Sequence, residues 1–187
     1  MNVKIINDSR IKDYRSVLGN TVTIVSGYDE KFVMDDSDTS LVMKSLQAGQ
    51  GYIIEDTTLT INKKVYASAV EKKDLIGLER AVWTTKMTYH SGAIIHFYEG
   101  TLLGHIRGDL PESSDLLAFG EIFIPDGYDL NICEIENRDD VDFKNARQLA
   151  LTKLLLGESY QVEMVESILQ TKSIADPATQ QIHMALN

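Results

Sequence analysis

The stretch AVWTTKMTYHSGAIIHFYEGTLLGHIR, residues 81–107, determines the fold class of this 187-residue chain. It is rich in aromatic and β-branched residues, which is typical of β-strands. Ser91-Gly92 and Gly100 interrupt it with residues that favour hairpin turns. The stretch therefore predicts three strands, at residues 81–89, 92–98 and 101–107.

Helices and further strands are predicted on both sides of this stretch. Apolar residues at helical spacing predict helices over 10–18, 40–48, 68–79, 142–156 and 160–172. Short apolar runs predict strands at 2–6, 21–26, 52–54 and 121–124, and a hairpin over 58–66. The opening strand–helix–strand order is typical of a partly parallel sheet. We therefore predict one α/β domain with two lobes.

The composition excludes several classes of protein. The chain has 18 Lys and Arg against 28 Asp and Glu, a formal net charge of −10. A general nucleic-acid coat needs a basic face, so we expect no nucleic-acid partner. A single cysteine, and four histidines without metal-binding spacing, argue against a zinc hydrolase. No apolar run reaches the ~20 residues of a membrane helix, and the N-terminus resembles no secretory signal. We therefore expect a cytoplasmic protein without a membrane partner.

Three segments carry residues suited to chemistry. Asn7 to Arg10 lie where the first strand meets the first helix, and helix N-terminal amides favour a phosphate that an arginine could clamp. Glu55-Asp56 follow a strand, and such carboxylates can hold Mg²⁺ or activate a water. Phe119 precedes a Pro125-Asp126-Gly127 turn and could stack on a base. The alternatives are a capped surface helix, a solvated acidic pair and a core aromatic.

Lys44 lies on a mostly apolar face of the helix predicted at 40–48. A lysine in such a place usually extends its ammonium group to solvent. A buried lysine that faces a triphosphate is the alternative.

Together these segments resemble the inosine triphosphate pyrophosphatase family, whose members hydrolyse non-standard purine nucleoside triphosphates to the monophosphate and pyrophosphate. FYEGTLLGHI (97–106) and EIFIPDGYDLNICEI (121–135) are similar to the family phrases F-x-G-x-x-x-G-x-I and P-x-F-x-P-D-G-Y-x-x-x-x-A-E-M. YIIEDTTL (52–59) is similar to the acidic E-D-T/S-x-L motif, and IINDSRIKDYRSVLG (5–19) to T-x-N-x-x-K-x-x-E-F-x-x-I-L-G. The resemblance covers roughly residues 2–156 of a single 1–187 domain. It implies a central mixed twisted sheet with flanking helices that form two lobes around a cleft.

The resemblance also implies roles for individual residues. At the phosphate end, Asn7 and Arg10 match phosphate-binding positions, and Lys44 matches a lysine that stabilises the leaving pyrophosphate. Glu55, with Asp38 as a further ligand, would hold Mg²⁺, and Asp56 would orient or deprotonate the attacking water. At the base end, the resemblance assigns stacking to Phe119 and contacts with the base edge or phosphates to Lys144, Asn145 and Arg147.

The base end departs from the family pattern. Gly120 stands where the family's F-G-Y/W-D motif has aspartate, and no histidine occurs near residues 143–147, where an S-H-R motif is expected. The predicted function is therefore a Mg²⁺-dependent nucleoside triphosphate pyrophosphohydrolase that acts on non-standard purine nucleotides or has altered base specificity. The alternative is a catalytically impaired relative that binds a nucleotide or a protein.

The C-terminal segment, about 158–187, lies beyond the family's usual end and predicts an extra helix. Val162, Val165, Ile168 and Leu169 form one apolar stripe on the helix predicted at 160–172. Such a stripe is typical of a core face, with a dimer seam as the alternative. Because members of the family are homodimers, we expect a homodimer.

Overall fold

The computed structural model describes residues 3–5, 10–25, 38–75, 79–110, 114–138 and 140–172. The helices are α1 (Ile11–Leu18), α2 (Asp38–Ala48), α3 (Phe119–Ile122), α4 (Ile132–Glu136), α5 (Ala146–Leu156) and α6 (Val165–Lys172). The strands are β1 (Val3–Ile5), β2 (Val22–Ile24), β3 (Ile53–Ile61), β4 (Lys64–Tyr66), β5 (Ala69–Glu71), β6 (Arg80–His90), β7 (Ile94–Ile106), β8 (Leu116–Ala118), β9 (Phe123–Pro125) and β10 (Gln161–Met164). Two 3₁₀ turns lie at Gly19–Thr21 and Lys72–Asp74. None of the described helices has the length and apolar character needed to cross a membrane.

The central sheet has the strand order β10-β7-β6-β3-β4, and β9 also pairs with β7. The pairings of β10 and β9 with β7, and of β4 with β3, are antiparallel. Among the described strands, the parallel pairing is that of β1 with β2, in a separate two-stranded sheet. The α/β class is confirmed. The mixed central sheet that the resemblance implies is wrong for the described strands, because the sheet is built from hairpins and returning edge strands.

Strand β7 runs unbroken through Gly100, so the prediction of two strands at 92–98 and 101–107 is wrong. A glycine is needed at position 100 because the backbone of another element comes close to it, and not because the chain turns there. A Cβ atom on it would lie 1.9 Å from the backbone oxygen of Ala146. The first turn of α5 therefore packs directly on the backbone of β7, which a side chain at residue 100 would prevent.

Three other predicted elements also differ from the structure. Residues 69–71 form β5, where a helix over 68–79 was expected, because Val70 pairs with the equally buried Leu117 of β8. Residues 119–122 form α3 before the short strand β9. The predicted helix at 160–172 is divided into β10 and α6. At residues 69–71 and 161–164, pairing with a distant strand outweighs local helical periodicity.

The hairpin predicted over 58–66 is confirmed as β3 and β4. Its two connecting residues, Asn62 and Lys63, have φ of 48° and 71°. Positive φ at both positions is the signature of the tight type I′ turn that suits the twist of a hairpin.

The chain forms two compact units, and each has its own hydrophobic core. Unit 1 comprises residues 1–55, 87–98 and 151–187, and its core joins α2, β7 and α6. Val165 and Leu169 pack against this core, and Ile168 is buried within it. The C-terminal apolar stripe is thus a core face from Val165 onward, whereas Val162 lies on β10 and is exposed.

Unit 2 comprises residues 56–86 and 99–150. Its core joins β3, β5, β6, β7, β8 and β9 with α3 and α4. The buried members of this core are Leu59, Ile61, Val70, Ala81, Ile106, Leu117, Phe119, Ile122, Phe123 and Ile132.

The replacement Gly100→Ala tests the packing of α5 on β7. We expect it to lower the free energy of unfolding by about 1–3 kcal/mol or more, because the added methyl group meets backbone and not a movable side chain. Urea denaturation measures the change. Thr101→Ser, at the exposed neighbouring position, is the control and should stay within about 0.5 kcal/mol of the parent. Equal stabilities of the two variants would contradict the packing described.

Candidate functional site

A cluster of three polar side chains links α1 to β3. The Arg10 Nη1 atom donates to Oε1 of Glu55 at 2.8 Å, and the Tyr14 hydroxyl donates to Oε2 at 2.9 Å. We call Arg10, Tyr14 and Glu55 the carboxylate cluster. Arg10 directly precedes α1 and Tyr14 lies one helical turn later, so both side chains project from the same side of the helix. Glu55 comes from a position 45 residues further along the chain than Arg10.

The carboxylate cluster is partly shielded from solvent. The Tyr14 residue is only 3% exposed, and the Glu55 side chain is 15% exposed. Arg10 is 39% exposed, so solvent screens much of its attraction to Glu55. The Tyr14 hydrogen bond is better protected from water, because the Tyr14 residue is buried. A hydrogen bond to a charged acceptor gains strength where water is excluded. The carboxylate is thereby held with both oxygens engaged.

Lys44 is buried, as the second of the two alternatives requires, whereas the triphosphate that it would face stays a prediction. It lies in the middle of α2, is 8% exposed, and belongs to a run of seven consecutive buried residues, Ser40–Leu46. A buried ammonium group is stable only where it finds hydrogen bonds or negative charge. Lys44 belongs to unit 1, as do Arg10 and Glu55.

The other two acidic residues of the predicted site, Asp38 and Asp56, lie on α2 and β3. Asp38 is the first residue of α2, where the helix dipole favours a carboxylate. Asp56 follows Glu55 within β3, since the strand continues to Ile61 and does not end at the acidic pair. Successive side chains of a strand point to opposite faces. Glu55 and Asp56 are therefore suited to separate roles and not to a joint one. Asn7 lies outside the described residues.

The predicted base-end residues belong to unit 2. Phe119 is 7% exposed and packs edge-to-face on Trp83, with ring centroids 5.7 Å apart, so it is a core aromatic in this structure. Asn145 is buried and forms a reciprocal pair of backbone–side-chain hydrogen bonds with Gln148 at the start of α5. It also donates to Glu136 at 2.7 Å. Substrate contacts of these two side chains remain predictions.

Lys144 and Arg147 flank this N-terminal cap of α5. Arg147 is partly buried on the first turn of the helix. Lys144 is exposed and borders an open groove of about 470 Å³. Tyr128 and Phe143 form an edge-to-face pair beside it, with ring centroids 5.3 Å apart. The other residues that line the groove are Thr101, Leu102, Leu103, Pro125, Asp126, Asp142 and Leu149.

Two features of these sites were not recognised from the sequence. In the sequence, Tyr14 is only one of the apolar residues at helical spacing that predict the helix over 10–18, whereas its hydroxyl binds the Glu55 carboxylate in the structure. No local signal distinguishes the two roles, because the acceptor is distant in the chain. By contrast, Asn145 and Gln148 have the spacing of a capping box, and that pattern could have identified Asn145 as a helix cap.

A metal ion is the further feature that the resemblance implies for these acidic side chains. Within the described part of the chain, no group of three or more His, Cys, Asp or Glu side chains is placed to hold a metal ion by itself. Mg²⁺ usually takes only one or two protein carboxylates and fills its octahedron with phosphate oxygens and water. Glu55 is one carboxylate of this kind, and its role as a Mg²⁺ ligand stays a prediction.

Comparison of the sequence with protein-family models and with curated proteins finds no match.

The replacement Tyr14→Phe tests the carboxylate cluster. We expect it to lower the free energy of unfolding by about 1–2 kcal/mol, because it removes a buried donor to a charged acceptor and keeps the ring. Urea denaturation is the measurement. Tyr66→Phe is the matched control, because the Tyr66 hydroxyl is 3.5 Å from its acceptor on Asp74 and contributes little. A loss no larger than that of the control would show that the Tyr14 hydroxyl does not hold Glu55.

The thiol of Cys133 provides a test of the electrostatics of unit 2. Burial raises the pKa of this thiol, and the carboxylates of Glu136, Glu121 and Glu134 raise it further. A raised pKa leaves less thiolate at pH 8, so we expect iodoacetamide to alkylate the folded chain several-fold more slowly than the urea-denatured chain. Glu121→Gln should speed the reaction of the folded chain. Equal rates in the folded and denatured chains would contradict this environment.

Proposed function

We propose that this protein is a divergent member of the inosine triphosphate pyrophosphatase family and a Mg²⁺-dependent nucleoside triphosphate pyrophosphohydrolase of the cytoplasm. Its products would be a nucleoside monophosphate and pyrophosphate. The observation that supports this most is the contact between Arg10 and Glu55. The resemblance assigns the two residues to one phosphate and metal site, although they come from motifs far apart in the sequence. The fold brings their side chains within hydrogen-bond distance.

The carboxylate cluster is suited to exchange its partners when a nucleotide binds. In this structure Arg10 pairs with the Glu55 carboxylate. A triphosphate offers Arg10 a stronger, doubly hydrogen-bonded partner, which frees one Glu55 oxygen. Glu55, with Asp38 as a second candidate ligand, would then hold the Mg²⁺ of the nucleotide, which supplies neutralisation of phosphate charge. Tyr14 keeps the other Glu55 oxygen in place throughout.

The chemical step would be an attack of water on the α-phosphorus. Asp56 would accept a proton from the water as the new oxygen–phosphorus bond forms. The bond from the α-phosphorus to the bridging oxygen breaks, and pyrophosphate leaves with the electron pair. Lys44 and Arg10 would stabilise the negative charge that develops on this leaving group. Because the chain has a net charge of −10, such local cations are needed to admit a triphosphate.

Two observations support the alternative of a binding protein without catalysis. Phe119 packs in the core of unit 2, and the buried Asn145 side chain is engaged as a helix cap. Both residues were expected to contact the base or phosphates. If the base pocket has been lost in this way, the chain would bind a nucleotide or a protein without turnover. If the chain is instead an active hydrolase, the same changes at the base end should alter which base it accepts.

A panel of nucleoside triphosphates separates the two functions. The purified chain is incubated with Mg²⁺ and dITP, XTP, dUTP or the common nucleotides, and pyrophosphate release is measured. We expect release that requires Mg²⁺, and a kcat reduced on the order of 10²–10⁴-fold in Asp56→Asn, because that variant cannot accept the proton. Asp129→Asn, at an exposed position, is the matched control and should keep full activity.

Thermal unfolding of the same samples shows what an absence of pyrophosphate release would mean. No release from any nucleotide by the folded chain would rule out the hydrolase. If Tm nevertheless rises with one nucleotide, the binding alternative is supported, because a ligand that binds only the folded state stabilises it. If neither activity nor Tm responds to any nucleotide, both nucleotide-dependent functions are wrong.

A further inference from the structure

Two contacts fix the register of β3 on β6. They are the approach of the Thr57 and Thr85 hydroxyls at 3.1 Å and the hydrogen bond from the His90 N–H to the Tyr52 oxygen at 3.3 Å. From the first contact to the second, β3 recedes by five residues while β6 advances by five, so the strands are antiparallel and share one register. Asp56 therefore lies directly opposite Lys86, on the same face of the sheet.

Two further contacts fix the register of β6 on β7. They are the hydrogen bonds from the Ser91 N–H to the Ile94 oxygen at 2.9 Å and from the Ile106 N–H to the Glu79 oxygen at 2.8 Å. The first closes the hairpin between the two strands, the second joins their other ends, and both fit one antiparallel register. Lys86 therefore lies directly opposite Glu99. The Glu99 carboxylate also accepts from the Thr101 hydroxyl at 3.1 Å.

Asp56, Lys86 and Glu99 thus form a row across three neighbouring strands, which we call the charged row. All three residues are partly buried, and all three belong to unit 2. Residues directly opposite each other in an antiparallel pair have Cα atoms about 4.5–5.5 Å apart, and opposite charges at such positions attract. Lys86 therefore has an acidic residue within reach on each side.

The rows next to the charged row on this face are uncharged. The next positions along the three strands are Thr58, Thr84 and Thr101 in one direction, and Ile54, Thr88 and Phe97 in the other. Lys86 is therefore the one cationic side chain in these three rows. An opposite charge within a few ångströms favours the ionised form of a carboxylate. The charge state of Asp56 should accordingly depend first on Lys86.

Other titratable or charged groups lie outside the charged row, on these strands and on the elements that pack against them. They are Tyr52 on β3, His90 on β6, Asp38 and Lys44 on α2, Glu163 on β10, and Asp126, Asp142 and Lys144 at the groove beside Thr101. The His90 Nε2 atom is engaged, 2.8 Å from the Gly92 oxygen. Because these groups are unchanged by substitutions in the charged row, they form a constant background for such variants.

We propose that Lys86 is a positioning residue for Asp56, a role that rests on the proposed hydrolase function. Asp56 can accept a proton from the attacking water only in its ionised form. In a chain with a net charge of −10, the surrounding negative charge favours protonation of a carboxylate, and Lys86 opposes this at Asp56. Glu99 shares the Lys86 charge, so Asp56 is not paired so tightly that it loses its capacity to accept a proton.

The pH dependence of kcat for pyrophosphate release tests this role with two variants of opposite expected effect. Lys86→Met removes the ammonium group, so the acid limb of the profile should move to higher pH by about 0.5–1 unit. Glu99→Gln leaves Lys86 to Asp56 alone, so the acid limb should move to lower pH. Lys86→Arg should keep the profile of the parent, because the charge remains. KM should change less than about twofold in each variant.

Lys73→Met and Glu71→Gln are the matched controls. Lys73 and Glu71 form an ion pair in unit 2 whose side chains are 77% and 54% exposed, so the same charges are removed away from the charged row. Both controls should keep the profile of the parent, and circular dichroism establishes that every variant is folded. Lower activity of Lys86→Met without a shift of its acid limb, or shifts of Lys86→Met and Glu99→Gln in the same direction, would overturn the proposal.

Urea denaturation tests the charged row without relying on catalysis. The shift in the urea midpoint caused by Lys86→Met should become smaller by about half in an Asp56→Asn background, because the effects of interacting residues are not additive. Equal shifts in the two backgrounds would overturn the pairing. A parent chain that releases no pyrophosphate overturns the proposed function and the role of Lys86 with it. An active parent whose variants show unshifted profiles overturns the role of Lys86 alone.

Discussion

The unbroken path of β7 through Gly100 is the constraint on which the described structure depends. This thirteen-residue strand pairs with β10 through its first residues and with β9 through its last, and it also neighbours β6 in the sheet. Gly100 and Gly104 permit two close backbone approaches along it, by α5 and by Ile124 of β9. Both glycines match those of the phrase F-x-G-x-x-x-G-x-I. In this structure, close backbone packing explains why glycine is needed at the two positions. A side chain at either position would displace an element that β7 supports.

The carboxylate cluster shows what the fold adds to a sequence motif. Glu55 and Asp56 were expected at a strand end with different roles, whereas β3 continues through both residues, and successive side chains of a strand point to opposite faces. Glu55 is held by Arg10 and Tyr14, so its position is set by α1. Asp56 is left to a different role. The proposed mechanism uses this division, with Glu55 for the metal of the substrate and Asp56 for the proton of the water.

Much of the fold was predictable wherever local chemistry and tertiary packing agree. The opening β1–α1–β2 unit, α2, and the hairpin of β3 and β4 follow from apolar spacing and turn residues. Prediction failed where pairing between distant segments decides the conformation. Val70 lies in a strand because it meets Leu117, and residues 161–164 lie in a strand because they meet residues 94–97. At the candidate site, Arg10 and Glu55 were predicted, whereas Tyr14 was missed because its acceptor lies 41 positions away.

The sequence by itself determined the α/β class, the order of most elements, the acidic character of the chain and the candidate phosphate-end residues. These properties depend on composition, periodicity and short motifs, which act within a few residues. Only the tertiary structure decided that Glu55 bonds to Arg10 and Tyr14, that Lys44 is buried, that Phe119 packs on Trp83, and that Asn145 caps α5. The physical reason is that burial and hydrogen-bond partners are set by contacts between segments far apart in the chain, which local patterns do not specify.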